Sequence, residues 1–95
     1  EYAGSFSAVL EGTVSSVAAK VAKSVQMPIV GIGAGADVDG QVLVWSDMLG
    51  FFDEFKPKFV KRYLDGANLV RTAVEAYARE VREKTFPSNE FEYKI

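Results

Sequence analysis

The chain has 95 residues, enough for one domain at most. Hydrophobic residues make up 48% and charged residues 25%, which excludes wholesale disorder, and a net charge of −2 gives no general attraction to nucleic acid or an anionic membrane. Cysteine and histidine are both absent, so disulfides, thiolate metal sites and imidazole acid–base chemistry are excluded, and any proton transfer must use Asp, Glu, Lys or Tyr.

The first element expected along the chain is a short buried strand over Phe6–Glu11, an apolar run that ends in a carboxylate. Gly12-Thr13 breaks it, and Thr13 or Ser15 is suited to cap a following helix. Val14, Val17, Ala18, Val21, Ala22 and Val25 recur at spacings of three and four, which is one face of that helix. Met27-Pro28 ends it, because proline disfavours helical geometry in the residue before it. Pro28–Gly33 then reads as a second strand, so the first third is strand–helix–strand, the signature of a parallel βαβ unit.

Residues Ala36–Gly40 form a turn-rich loop. Gln41–Leu49 is ambiguous between strand and helix; Asp39 as a cap and Gly50 as a stop favour helix. Pro57 is placed to open another helix running to about Leu64, with Asp65-Gly66 as a break. Leu69, Val70, Ala73, Val74, Tyr77 and Val81 give the clearest helical stripe, carried to about Lys84, and an irregular tail follows from Phe86-Pro87. No apolar run is long enough to span a bilayer, and Glu1-Tyr2-Ala3-Gly4 is not the basic-then-apolar start of a signal peptide. A cytoplasmic location and a piece of a longer protein are the corresponding expectations.

Glu11 is the leading functional candidate. Ligands of parallel α/β folds bind outside the carboxyl ends of the strands, where a carboxylate serves as general base, metal ligand or substrate clamp. A solvated strand-end side chain or a helix cap is the plainer alternative. Gly31-Ile32-Gly33-Ala34-Gly35 lacks the third glycine of a dinucleotide fingerprint, since Ala36 stands there. Its glycines permit close backbone approach to a ligand or to a neighbouring loop. Asp37, Asp39 and Asp47 lack the spacing and final Glu of a calcium loop. Trp45, Phe51, Phe52 and Phe55 suit a core or a subunit interface, and Lys56–Arg62, interleaved with Pro57, Phe59 and Val60, suits one solvated face of a helix with its apolar side packed more than a phosphate or nucleic-acid site.

Val9-Leu10-Glu11, Ile29–Gly35, Asp39–Val44, Asp47–Gly50 and Pro57–Lys61 occur in this order across nearly the whole chain. Together they resemble the C-terminal third of the ketopantoate hydroxymethyltransferases. The resemblance implies the end of a (β/α)8 barrel of the phosphoenolpyruvate/pyruvate type, with its last two strands and C-terminal helices. On that reading residues 1–95 are a segment of a single barrel domain, in which 1–50 are the closing βαβ portion with a following helix and 51–95 are C-terminal helices and tail. It implies transfer of a hydroxymethyl group from methylenetetrahydrofolate to 2-oxoisovalerate in pantothenate biosynthesis, with Mg2+ holding the keto acid through ligands upstream of this chain. It also implies a homo-oligomer, with no nucleic-acid or membrane partner. Glu11 matches the family's strand-end glutamate, implicated in proton transfer, while Gly31, Gly33 and Gly35 match the segment that shapes the mouth of the site. The chain departs from the family in having Gly12-Thr13-Val14 where a proline usually follows the glutamate, and in lacking a histidine after Phe86-Pro87. Alone, two strands cannot close a barrel and leave an exposed edge, so the isolated chain is expected to be inactive and to aggregate, oligomerise or stay partly unfolded. A non-catalytic assembly segment, or an inactive relative with the same barrel, is the alternative.

Overall fold

A computed structural model describes residues 1–95. Strand β1 (Ala8–Glu11), helix α1 (Ser15–Ser24) and strand β2 (Ile29–Ile32) form the expected βαβ unit. β1 and β2 run parallel, with Ala8 opposite Ile29 and Glu11 opposite Ile32. Both strands begin slightly inside the predicted runs. The N-cap of α1 is Val14 and no side chain caps it; the Thr13 hydroxyl instead donates back to the Glu11 carbonyl. The other end of the helix is held from afar, where the Glu1 carboxylate accepts from the backbone N–H groups of Gln26 and Met27.

The sheet has two unequal faces. Partners across a parallel ladder share a face, and successive residues alternate. Ala8, Leu10, Ile29 and Gly31 therefore lie on one face, and Ile29 is fully buried there. Val9, Glu11, Val30 and Ile32 lie on the other, where Val9 remains 61% exposed. The covered face and the fully buried Ala18 of α1 are most of the core; Ala34 and Val60 complete its apolar part.

A third strand replaces the expected start of a helix at Gln41. Strand β3 (Gly40–Gln41) pairs in parallel with β2, giving the order β1-β2-β3. The cause is a reciprocal clamp. The Asp39 backbone N–H donates to the Ile29 carbonyl, and the Asp39 carboxylate accepts from the Ile29 N–H at 2.8 Å. Asp39 is thus engaged with the sheet and caps no helix. Only Trp45–Met48 is helical (α2), and Gly50, at φ +72°, ends that turn as its position suggested.

The helix expected over Pro57–Leu64 is also not formed. A single turn closes there, Val60 N–H to the Pro57 carbonyl, and the rest of the segment is extended or bent. Its two ends are zipped together: the N–H groups of Tyr63, Gly66 and Ala67 donate to the carbonyls of Met48, Leu49 and Gly50. A Cβ on Gly50 would overlap the Leu64 carbonyl, and one on Gly66 would overlap that of Leu49. Those glycines let two backbones touch, a non-local demand that local helix propensity cannot override.

Gly66 accordingly opens helix α3 (Gly66–Arg82) and is not a break. Asp65 occupies the N-cap position, with its carboxylate bonded to Asn68. The predicted stripe lies on one face of α3, but Leu69, Val70, Val74 and Tyr77 are each more than half exposed. The helix ends at Arg82, with Lys84 in the left-handed region (φ +61°) just beyond it. The tail folds back, so that Phe86 meets Tyr77 edge-on and Phe91 meets Phe86, within a 3-10 turn over Asn89–Phe91.

Candidate functional site

Glu11 ends β1 on the open face of the sheet. Chain direction places its carboxylate at the carboxyl end of both long strands, where their backbone groups run out of partners. The next residue, Gly12, still donates to the Ile32 carbonyl at 2.9 Å, which keeps the two strand ends side by side. The Glu11 carboxylate enters no hydrogen bond or ion pair within the chain. It is therefore neither a helix cap nor a structural salt-bridge partner.

The glycine-rich turn starts directly beside it. Gly33 and Gly35 take left-handed backbone, at φ +67° and +82°, while Ala34 between them is buried. Each glycine makes room for a specific neighbour. A Cβ on Gly33 would lie 2.6 Å from the Phe59 ring, and one on Gly35 would lie 2.5 Å from Ser15 Cβ. Gly31 is the more tolerant of the three: a Cβ there would meet Val38 at 3.0 Å and Ala34 and Gln41 at 3.5 Å. The turn is wedged between the first residue of α1 and the connector that follows α2.

A cleft of about 640 Å3 opens at this end of the sheet. Gly12–Ser15 form one side, Gly33 and Gly35 another, and Lys58 and Phe59 a third. Glu11 stands one residue outside its lining. A second cavity, of about 430 Å3, lies across Gly33 and Phe59 from the first and is walled by Gln41, Met48, Lys61 and Tyr63. Phe59 and Gly33 are thus the partition between the two. The volumes are in the range of small-molecule sites, with Lys58 and Lys61 supplying positive charge at the rims.

The sequence singles out Glu11 and the glycines as candidates; around the same turn the structure also brings Phe59, Lys58 and Gln41. The sequence pattern puts Lys58 on the solvated face of a helix, Phe59 on that helix's packed apolar side, and Gln41 inside a helix. No local signal marks them, because their placement depends on the contact of Phe59 with Gly33 and on the pairing of β3 with β2. Trp45 and Phe51 pack edge-on at 5.6 Å and Phe51 lies against Gly66, yet all four aromatic rings, Phe52 and Phe55 included, remain exposed. The group does not form a core. Nowhere in the chain do three or more Asp and Glu side chains converge.

The family model described as ketopantoate hydroxymethyltransferase matches residues 1–89. Among curated proteins, the 3-methyl-2-oxobutanoate hydroxymethyltransferase of Campylobacter concisus is 68% identical over 94 residues, covering 99% of this chain and 35% of that protein. The proteins of the same name from Campylobacter curvus and Nitratiruptor sp. are 65% and 64% identical, with 99% and 98% of this chain and 35% and 36% of theirs covered. The chain spans about a third of the length of the curated relatives it matches.

Proposed function

The chain belongs to the ketopantoate hydroxymethyltransferase family, and from that premise we propose that it is part of an enzyme transferring a hydroxymethyl group from methylenetetrahydrofolate to 2-oxoisovalerate, giving ketopantoate. The observation that carries the reading is the free carboxylate of Glu11 on the open sheet face, beside a turn of left-handed glycines and a cleft. An exposed Val9 on that same face fits a sheet surface that further strands would line, as in a (β/α)8 barrel. Residues 1–95 would then be one segment of a single barrel domain, in a cytoplasmic protein.

In this reading Glu11 moves a proton at the carbon that receives the one-carbon unit. Removing that proton leaves an electron pair on carbon, which forms the new bond to the donor's methylene group as that methylene's two bonds to folate nitrogens break in turn; water supplies the hydroxyl oxygen, and the nitrogens keep the bonding electrons and take up the substrate's proton and one from water. Gly33 and Gly35 let Phe59 and Ser15 close around the turn beside Glu11, and Lys58 offers a charge to an anionic substrate. The Mg2+ implied by the resemblance would take its ligands from outside these residues, whose acidic groups do not fit an ion. The test is steady-state kinetics of the full-length parent. Changing Glu11 to Gln keeps the shape and removes the base, and is expected to lower kcat by about a hundredfold or more. An unchanged kcat sinks the role.

A second reading is favoured by the bare stripe of α3: residues 51–95 serve assembly of a homo-oligomer. Leu69→Ser combined with Val74→Ser in the parent is expected to lower its sedimentation coefficient. An unaltered oligomer rules that reading out.

A further inference from the structure

We infer that Gln41 is a positioning residue, which holds the Gly33–Gly35 turn at the distance from Glu11 that proton transfer requires. The inference rests on the transferase reading and gives a role to a residue that reading leaves without one.

The Gln41 side chain spans the whole turn. Its Nε2 donates to the Gly35 carbonyl at 2.8 Å. The carbonyl can only accept, so the donor fixes which end of the carboxamide faces it. Gly31 lies beneath, where an added Cβ would come within 3.5 Å of that same nitrogen. The backbone of Gln41 is itself pinned: it pairs with Gly31 across the sheet, Val42 N–H donates to the Gly31 carbonyl at 3.0 Å, and Asp39 clamps Ile29 just before it. A side chain from a fixed strand therefore reaches over and closes the loop on itself.

What it holds is the exposed end of a turn whose other end is packed. Left-handed glycines have the widest choice of backbone conformation, and Gly35, Ala36 and Asp37 are exposed. The turn bears on Glu11 through two contacts. Gly35 sits against Ser15, the first residue of the helix that follows the Glu11–Thr13 bend. Ile32, immediately before the turn, is opposite Glu11 in the ladder and accepts the Gly12 N–H. If the Gly35 carbonyl swings away, Ser15 loses its neighbour and the bend carrying Glu11 loses one wall. Sub-ångström placement of a catalytic group is worth large factors in rate.

The Gly35 contact is specific to a donor, which separates positioning from space filling. Gln41→Met and Gln41→Glu preserve the volume and remove the N–H; Gln41→Ala removes both. In the full-length parent, Met and Glu are each expected to lower kcat by about tenfold, with KM changed by less than about threefold. Amide hydrogen exchange should quicken at residues 33–36 and stay unchanged in α1 and α3. Wild-type kinetics and exchange for Met and Glu, with a defect only for Ala, would show that volume alone matters and overturn the inference. Exchange raised throughout the molecule would overturn it too, as the mark of a general fold defect. If the unaltered parent shows no turnover, the transferase reading fails by itself, and unchanged exchange at residues 33–36 would separately remove the clamp.

Discussion

The sheet and the long helix solve the same problem to different degrees. Between Ala8 and Gln41 the chain satisfies its strands by pairing them, buries Ile29 and Ala18 completely, and tethers loose segments with side chains such as Glu1, Asp39 and Gln41. Between Gly66 and Arg82 the backbone is equally well satisfied, by the helix itself, yet Gly66 is the only buried residue. Hydrogen bonding alone therefore does not make a core; burying the stripe does. The molecule is correspondingly drawn out. Its radius of gyration is 22.2 Å, where a compact chain of this length has roughly 12–13 Å.

Substitutions can sharpen that contrast, and the largest effect belongs to the sheet. Ile29→Ala removes a fully buried side chain and is expected to cost the full-length parent about 2–5 kcal/mol in urea unfolding. Val74→Ala, on the bare stripe of the isolated chain, should cost less than about 0.5 kcal/mol by thermal melting. Equal costs would erase the distinction between the two regions. Next comes Asp39→Ala, which strips the Ile29 N–H of its acceptor at a buried residue. It is expected to cost about 1–3 kcal/mol by the same urea measurement, and to free β3 first. One substitution should be a gain. Lys84→Gly relieves a left-handed residue behind α3 and should add about 1 kcal/mol, read from helix melting. A loss would mean that the Lys84 side chain contributes more than its backbone strain costs.

Patterns of short range were legible in the sequence, and patterns set by distant contacts were not. The α1 stripe, the two long strands, the stop at Gly50 and the face of α3 all follow from period, proline and glycine within a few residues. Val42-Leu43-Val44 leaves Gln41 ambiguous between strand and helix; Asp39 as a cap and Gly50 as a stop tip the reading to helix, and nothing nearby announces that Asp39 will bond to Ile29 instead. Pro57–Leu64 carries a good helix start, but the zipper between residues 48–50 and 63–67 sets its path. Within the site the division is the same. Glu11 declared itself by lying at a strand end, whereas Phe59 and Gln41 became visible only once Gly33 and Gly35 had neighbours.

The zipper has a consequence for engineering. Because Met48–Gly50 and Tyr63–Ala67 are stitched together by three backbone bonds, the stretch between them is a detour whose two ends are already joined. Lengthening a tethered detour adds only about 0.6 kcal/mol of closure entropy per doubling. The exposed tip at Asp53–Lys56 is therefore where a foreign peptide, an epitope or a reporter could be spliced in, leaving the strand ends around Glu11 in register.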